Sequence, residues 1–174
     1  GGASVGAWSA LPSLPAPVTQ LHFINANTGW FTVNRPSIYR TDDGGKSWRD
    51  FRVPNQDAYV IAVHPKDPKI VFAGGRGENQ HVSRSNDGGK TWRQIGVGLG
   101  KISLGRLLID PNEPTTLYAS GGTFTSIFKS TDNGDSWSEL TLPVGGTVDL
   151  YDPIVDPANG KLLWAATEDG LLKS

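Results

Sequence analysis

One eight-residue pattern occurs three times in the sequence at nearly constant spacing. The pattern is Ser or Thr, any residue, Asp, any residue, Gly, any residue, Ser or Thr, and Trp. It occupies residues 41–48 (TDDGGKSW), 85–92 (SNDGGKTW) and 130–137 (STDNGDSW). The steps between successive tryptophans are 44 and 45 residues. A fixed period of this length is typical of a repeat architecture, in which each repeat is one supersecondary unit.

Short apolar runs that are typical of β-strands surround each copy of the pattern. An aromatic residue lies in an apolar run ten to thirteen residues before the first Ser or Thr, and a fourth run has one near the C-terminus: Phe31, Phe72, Tyr118 and Trp164. A turn, rich in Pro and Asp in three of the four copies, begins eight residues before each aromatic: Phe23, His64, Asp110 and Asp156. Each repeat therefore predicts four short strands. No apolar period of 3.6 residues persists, so we expect almost no helix.

The residues of the pattern indicate a polar turn with a structural role. A D-x-G segment between two strands is typical of a three-residue hairpin that ends in a left-handed residue, which suits glycine. The Asp and the hydroxyl residues can bond to main-chain groups of the turn. The Trp begins the next strand and is large enough to cover a gap between neighbouring sheets. We assign this role to Thr41, Asp43, Gly45, Trp48, Ser85, Asp87, Gly89, Trp92, Ser130, Asp132, Gly134 and Trp137.

Composition excludes several classes of function. The chain has no cysteine, which excludes disulfides, thiolate metal sites and cysteine nucleophiles. Its three histidines are not spaced as metal ligands, so we expect no metal and no cofactor. The net charge is -1 and no apolar run approaches the roughly 20 residues of a membrane helix. We therefore expect neither a nucleic acid nor a membrane as a partner.

The eight-residue pattern resembles the Asp-box, also called the BNR repeat. It is similar to the repeats of sialidases, xyloglucanase-type glycoside hydrolases, sortilin-like receptors and a photosystem II assembly factor. The resemblance covers essentially the whole chain and implies a β-propeller whose boxes connect the third and fourth strands of each blade. These families are mostly secreted or lumenal, which is the one indication of a compartment. The box serves enzymes and binding proteins alike, so it does not select a function.

The repeats predict an all-β fold, a β-propeller of four four-stranded blades in a single domain spanning 1–174. The blades end near Trp8, Trp48, Trp92 and Trp137. An apolar segment follows Trp8, and we expect this N-terminal strand to complete the last blade and close the ring. The alternative is half of a larger propeller, completed by dimerisation or excised from a longer chain. A monomer is favoured and a homodimer is the other possibility.

Candidate ligand-binding residues lie on loops that the repeat does not require. In propellers, ligands favour the face formed by the loops between blades and between second and third strands. The binding candidates on this face are Arg35, Arg76, Asn79, His81, Arg106 and Tyr151. Tyr59 and Tyr151 with such neighbours suit a sugar or a peptide. Glycoside hydrolysis needs a pair of carboxyl groups, for which the candidates are Asp57, Glu78, Asp149 and Asp152.

Three functions stay open at the level of sequence. The favoured one is a non-catalytic scaffold that binds a glycan, a peptide or a protein on this loop face. The second is a glycoside hydrolase that acts on polysaccharide, or a fragment of one. The third is an engineered or structural propeller without a ligand. Sialidase chemistry has little support, because the N-terminal Arg-Ile-Pro signature is absent and Arg35, Arg76 and Arg106 are only loosely placed for an arginine triad.

Overall fold

A computed structural model describes residues 17–33, 36–54, 57–76, 82–100, 102–121, 126–142 and 150–174, with the main chain alone for residues 76 and 150–152. These segments contain fifteen strands in four antiparallel sheets, and the described residues include no helix. In every sheet, strands that are consecutive in the chain are neighbours. The all-β propeller with four blades is therefore confirmed.

Each sheet is one blade. Blade 1 contains β1 (Gln20–Phe23), β2 (Gly29–Thr32), β3 (Ser37–Thr41) and β4 (Arg49–Arg52). Blade 2 contains β5 (Asp57–Val63), β6 (Val71–Arg76), β7 (Val82–Ser85) and β8 (Arg93–Ile95). Blade 3 contains β9 (Leu104–Ile109), β10 (Leu117–Gly121), β11 (Ser126–Ser130) and β12 (Ser138–Leu140). Blade 4 contains β13 (Leu150–Val155), β14 (Leu163–Thr167) and β15 (Gly170–Lys173). The expected closing strand after Trp8 lies outside the described residues.

The core consists of apolar layers between successive blades. One layer joins blades 1 and 2 and includes Trp30, Ile38, Val71 and Ala73. The next joins blades 2 and 3 and includes Phe72, Val82, Leu117 and Ala119. The third joins blades 3 and 4 and includes Tyr118, Ile127, Leu163 and Ala165. In blades 2 and 3, alternate residues of the second strand thus face opposite neighbours, as the two-residue period of a strand requires.

The strand register corrects the predicted alignment of blade 1. Gly29 pairs with Thr41, just as Val71 pairs with Ser85 in blade 2. The aromatic that corresponds to Phe72 is therefore Trp30, whereas Phe31 faces the opposite side of the sheet. A one-residue slip reverses the face of every side chain in a strand, and residue counts across loops of variable length do not determine it.

A cation over the aromatic ring supports this alignment in three blades. Each cation belongs to the third strand and pairs across the sheet with the aromatic residue of the second. Arg40 lies 5.1 Å from the ring centre of Trp30, Lys129 lies 5.5 Å from Tyr118, and Lys173 lies 5.2 Å from Trp164. The repeated cation–π contact is therefore a feature of the blade and not of one position.

The turn after each first strand is held by one side-chain acceptor. The acceptors bond to the main-chain N–H groups two and three residues later, at 2.8–3.2 Å: Asn25, His64, Asp110 and Asp156. The predicted turn role of His64 is confirmed. In blade 1 the acceptor is Asn25 and not Phe23, because this hairpin is two residues shorter than its counterpart in blade 2.

Blades 1 and 4 each expose an apolar face. Leu171 corresponds in register to Ile38 and Val82, which are fully buried, but 67% of Leu171 is exposed. On the other side of the array, Leu21 and Phe23 of blade 1 are 59% and 41% exposed. In a closed ring of four blades these two faces would contact each other, and in a larger propeller each would contact a further blade.

Candidate functional site

The two ends of each blade differ in the structure of their connections. We call the end at which the patterns 41–48, 85–92 and 130–137 connect third to fourth strands the turn end. The opposite end, where each first strand begins and each second strand ends, is the loop end. The predicted turn-forming residues lie at the turn end, and the predicted ligand-binding residues that are described lie at the loop end.

At the turn end, the first hydroxyl of each pattern organises the turn. The hydroxyl of Ser130 donates to Asp132 Oδ1 at 2.7 Å and accepts a hydrogen bond from the Gly134 N–H at 2.9 Å. Thr41 and Ser85 make the corresponding bonds at 2.7–2.9 Å. The buried glycine N–H is thus satisfied by a side chain where the sheet ladder has already ended.

The aspartate of each pattern accepts further bonds from the residue before the Trp. Asp43 accepts from the Ser47 main-chain N–H at 2.9 Å and from its hydroxyl at 2.5 Å. The Ser47 hydroxyl bond is the largest of the effects that lower the pKa of Asp43 to about 2, and the Thr91 hydroxyl likewise lowers the pKa of Asp87 to about 2. For Asp132, burial raises the pKa, but bonds from Ser136 and Ser130 outweigh it and the net shift is downward.

The glycines of the three turns have the positive φ that the sequence predicts. The values are 87°, 96° and 82° for Gly45, Gly89 and Gly134. The predicted three-residue hairpin is wrong, because the ladder between β3 and β4 ends at the pair Arg40 and Arg49, and eight residues lie between these two. The residue before each glycine is also left-handed: Gly44, Gly88 and Asn133. Side-chain bonds from the first hydroxyl and the aspartate replace the missing main-chain pairs.

Two of the turn tryptophans pack between neighbouring sheets, as predicted. The Nε1 of Trp92 donates to Gly89 O at 2.8 Å and the Nε1 of Trp137 donates to Gly134 O at 2.9 Å. Their rings lie in the layers between blades 1 and 2 and between blades 2 and 3. Trp48 instead contacts Phe31, with ring centres 4.6 Å apart, and its buried Nε1 has no partner among the described residues. The turn end therefore stabilises blade packing.

At the loop end, the structure brings together several residues predicted to bind a ligand. Asp57 begins β5 and pairs across the sheet with Arg76 at the end of β6. Arg106 lies near the beginning of β9, and Tyr151 and Asp152 lie near the beginning of β13. These candidates thus occupy the same end of three successive blades. The remaining candidates lie outside the described residues: Arg35, Glu78, Asn79, His81 and Asp149.

A repeated β-bulge, which the sequence reasoning missed, shapes the loop end. In blade 2, Ala58 pairs with Gly75 and Val60 pairs with Gly74, so Tyr59 is the extra residue that β5 inserts between these two pairs. Blades 3 and 4 have the same irregularity, at residues 105 and 151. A bulge bends its strand and re-aims the extra side chain, and bulges are frequent beside functional sites.

Glycines opposite two of the bulges make room for them. A Cβ on Gly75 would lie 2.1 Å from Asp57 O, and a Cβ on Gly121 would lie 2.1 Å from Ser103 O. No side chain fits at these distances without displacement of the neighbouring main chain. The GG dipeptides at 74–75 and 121–122 are therefore the sequence signal for these bulges.

The blade 2 bulge is tied to blade 1 by hydroxyl groups. Thr32 Oγ1 donates to Tyr59 O at 3.2 Å and lies 2.8 Å from Thr19 Oγ1. Thr32 is fully buried, so this link is shielded from water. The position of the bulge is therefore defined by two blades and not by β5 alone.

Two kinds of feature are absent from the described residues. Among the described residues, no three His, Asp or Glu side chains are grouped in a way that holds a metal ion. The described part of the chain also contains no helix that is long and apolar enough to cross a membrane.

Comparison with known proteins supports the fold. No family model matches the chain. A xyloglucanase of a Paenibacillus species is 33% identical over an alignment of 78 residues, and the match covers 37% of this chain and 8% of the enzyme. An ancestral GH74 enzyme superposes with a TM-score of 0.74 at 18% identity, over 97% of this chain. YCF48 bound to D1 peptide superposes with a TM-score of 0.64 at 19% identity, over 91% of this chain.

The matched regions are small parts of these relatives. The chain spans 24% of the GH74 enzyme and 48% of YCF48. At such identities the superpositions bear on the fold alone, and they agree with the four antiparallel sheets and their serial strand order. The chain is a β-propeller with four blades.

Proposed function

We propose that this chain is a non-catalytic binding module of the Asp-box class whose loop end holds a β-glucan chain. The observation that carries the proposal is the bulge repeated at the loop ends of β5, β9 and β13. It places one extra residue at the same end of three first strands. A bulge re-aims the extra side chain and is frequent beside functional sites, so a binding surface shared by several blades would account for its repetition.

The Asp-box assignment rests on the turn end. The three patterns share the hydroxyl-to-aspartate bond, the hydroxyl acceptor for the glycine N–H, and two consecutive left-handed residues. All of these bonds are internal to the turn. Ligand binding at the turn end is therefore not part of the proposal.

The proposed ligand follows from residue chemistry and from one relative. Binding sites for small molecules combine aromatic side chains with a few polar groups, and the bulges of blades 2 and 4 each carry a tyrosine, Tyr59 and Tyr151. Asp57 and Arg106 add polar groups at the same end. The 33% identity to a xyloglucanase over 78 residues favours a glucan among the sugars.

Glycoside hydrolysis is the second candidate function. Asp57 and Asp152 lie at the beginnings of the first strands of blades 2 and 4, close in sequence to the two bulges. Hydrolysis requires two carboxyl groups about 5–10 Å apart on either side of the scissile bond. Asp57 and Asp152 are the pair of carboxyl residues that we would assign to such a reaction.

One titration tests the binding proposal. Xyloglucan oligosaccharides are titrated into the chain by calorimetry, with Tyr59→Ala and Tyr151→Ala as variants and Lys90→Ala at the turn end as the control. We expect binding to the parent chain and to the control, and at least about tenfold weaker binding to each tyrosine variant. The proposal is contradicted if the parent chain gives no heat of binding. It is also contradicted if both tyrosine variants bind the oligosaccharides as tightly as the parent chain does.

The same samples distinguish binding from hydrolysis. Chromatography of the oligosaccharides after long incubation detects any shortened product. The non-catalytic proposal expects none. Product that forms with the parent chain and disappears in Asp57→Asn or Asp152→Asn would establish the second candidate instead.

A further inference from the structure

The chain contains two Asn-Gly dipeptides, Asn133–Gly134 between β11 and β12 and Asn159–Gly160 between β13 and β14. An Asn that precedes Gly loses its side-chain amide when the glycine nitrogen attacks the Asn side-chain carbonyl carbon, and glycine has no Cβ to obstruct the approach. The reaction needs an accessible amide and a glycine N–H that is free of hydrogen bonds. The two dipeptides differ in both respects, so the fold distinguishes between them.

In the first dipeptide the glycine N–H is already bonded. Gly134 N donates to Ser130 Oγ at 2.9 Å, and Gly134 is buried. Attack by this nitrogen on the partly buried Asn133 side chain requires that bond to break first. Because a buried donor without its acceptor is costly, the folded chain protects this dipeptide.

In the second dipeptide the reacting groups are open. Asn159 is exposed, and the Gly160 N–H has no acceptor among the described residues. Asn159 Oδ1 accepts a hydrogen bond from Lys161 N at 3.3 Å, which brings the side-chain amide over the peptide bond to Gly160 as in an Asx turn. Attack on the carbonyl carbon moves negative charge onto this oxygen, and an N–H already directed at it stabilises that charge.

The equivalent turns of blades 2 and 3 show why this N–H is free. In each turn the N–H three residues later donates to one carbonyl at 2.8–3.1 Å, and these carbonyls belong to Asp67, Glu113 and Asn159. The residues that follow them are Pro68, Pro114 and Gly160. Proline has no N–H, so the turn uses no hydrogen bond from this position.

The contact with blade 3 explains why blade 4 has glycine where the other two turns have proline. A Cβ on Gly160 would lie 1.9 Å from Asp110 Oδ1. Asp110 is buried, and its Oδ1 accepts bonds from Asn112 N and Glu113 N, so the carboxyl group is held in place. Packing between blades 3 and 4 therefore requires glycine after Asn159.

We propose that Asn159 is a site of spontaneous deamidation that weakens the contact between blades 3 and 4. The Gly160 nitrogen bonds to the Asn159 side-chain carbonyl carbon, the bond from that carbon to Nδ2 breaks, and Nδ2 leaves as ammonia with the proton of the Gly160 N–H. Water then opens the succinimide ring at either carbonyl, which gives aspartate or isoaspartate. The site lies at the turn end, so the proposal is independent of glucan binding at the loop end.

The products change the contact between the blades in two ways. Both add a carboxylate to the turn that faces the buried Asp110. Isoaspartate also adds one methylene to the main chain immediately before Gly160. Two hydrogen bonds join the blades at this point, from Tyr118 OH to Gly160 O at 3.5 Å and from Asn112 Nδ2 to Pro157 O at 3.2 Å. A longer main chain in the turn displaces these acceptors.

Mass spectrometry of the aged chain tests the site. The parent chain is incubated at mildly alkaline pH and cleaved after Lys129, Glu139 and Lys161, so that Asn133 and Asn159 lie on separate peptides. The change in mass from NH2 to OH reports deamidation, and isoaspartate-specific methylation reports isoaspartate. We expect deamidation at Asn159 to be at least about tenfold faster than at Asn133, because the turn of blade 3 must first open.

The unfolded chain provides the matched control. In concentrated urea neither glycine N–H is held, so the two dipeptides should react at similar rates. Asn159→Gln keeps the amide but cannot form the five-membered ring, and it should remove the product at this position. Equal rates at the two sites of the folded chain, or faster reaction at Asn133, would overturn the proposal. Absence of product at Asn159 while the unfolded chain reacts completely would overturn it as well.

A stability measurement tests the effect on the blades. Ion exchange separates the deamidated chain, which has one additional negative charge, from the chain that has not reacted. We expect its urea unfolding midpoint to be lower than that of Asn159→Gln aged in the same way. Asn159→Asp has the charge without the added methylene, so freshly prepared protein should lie between the two. Equal midpoints for the deamidated chain and Asn159→Gln would contradict a weakened contact.

Discussion

Ser130 Oγ lies 2.9 Å from the main-chain nitrogen of Gly134 and accepts its hydrogen bond. The N–H group belongs to a glycine that is buried under the layer between blades 2 and 3. The glycine needs a partner from the same turn, because the ladder between β11 and β12 ends at the pair of Lys129 and Ser138. The hydroxyl therefore replaces a bond that the sheet cannot supply.

Replacement of this hydroxyl should weaken the fold. Ser130→Ala leaves the Gly134 N–H buried without its acceptor, and we expect a loss of about 1–3 kcal/mol in the free energy of unfolding. Urea denaturation at pH 7 measures it. The control is Ser138→Ala, at an exposed position of β12, for which we expect a change within about 0.5 kcal/mol. Equal effects of the two substitutions would contradict the role of Ser130.

The lowered pKa values of the turn aspartates predict acid sensitivity. The pKa of Asp43 and of Asp87 is about 2 in the folded chain, chiefly because the hydroxyls of Ser47 and Thr91 donate to the carboxylates. The unfolded value is about 3.9, so the folded state binds fewer protons between these values. The contribution to stability is complete above about pH 4 and is lost as the pH falls to about 2.

Urea unfolding midpoints measured from pH 6 to pH 2 test this dependence. We expect the midpoint to fall most steeply between pH 4 and pH 2. Asp87→Asn removes one of the groups that titrate, so its midpoint should start lower at pH 6 and decline less. A variant whose midpoint declines as steeply as that of the parent chain would exclude Asp87 as a source of the effect.

The glycine opposite the blade 3 bulge should resist substitution. A Cβ at Gly121 would lie 2.1 Å from Ser103 O and 2.9 Å from Leu104 Cα, and both atoms belong to the main chain. We expect Gly121→Ala to cost about 2–3 kcal/mol of unfolding free energy, measured in urea. At Gly29 the new Cβ would instead meet the Phe23 ring, which is 41% exposed and can rotate. Gly29→Ala should therefore cost clearly less, and the opposite order would refute the steric argument.

The blade boundaries follow from the sequence because the turns have strict chemical requirements. The first hydroxyl, the aspartate and the glycine each make a bond or adopt a φ that few residue types allow, so their spacing predicts where third strands end. The faces of the strands were less predictable. Phe31 and Trp30 are adjacent and both aromatic, and only the pairing of Gly29 with Thr41 decides which of them faces blade 2.

The loop end was predicted only in part, for a physical reason. Topology places Asp57, Arg106 and Asp152 at one end, and the order of strands in a blade is enough to predict that. A bulge, however, adds a residue without a required type, so Tyr59 and Tyr151 gave no local signal. The nearest signal is the glycine on the opposite strand, Gly75, which is readable only once the strand pairs are known.

Asn133 is the one position among the described residues where a residue other than glycine has a positive φ, at 59°. Asn tolerates the left-handed region, and Gly44 and Gly88 occupy the same position in the other turns. Asn133→Gly should therefore change the unfolding free energy by less than about 0.5 kcal/mol, because relief of strain and the greater freedom of the unfolded chain oppose each other. Asn133→Val should cost about 1–2 kcal/mol, because its Cβ branch is disfavoured at this φ.

Urea denaturation of the two variants measures the difference, and Thr131→Val provides the control. Thr131 is exposed, lies in the same turn and does not have a positive φ, so its change tests the added apolar side chain without the conformational strain. We expect Thr131→Val to stay within about 0.5 kcal/mol of the parent chain. If Asn133→Val were as stable as Thr131→Val, the left-handed conformation would not be what selects Gly or Asn at this position.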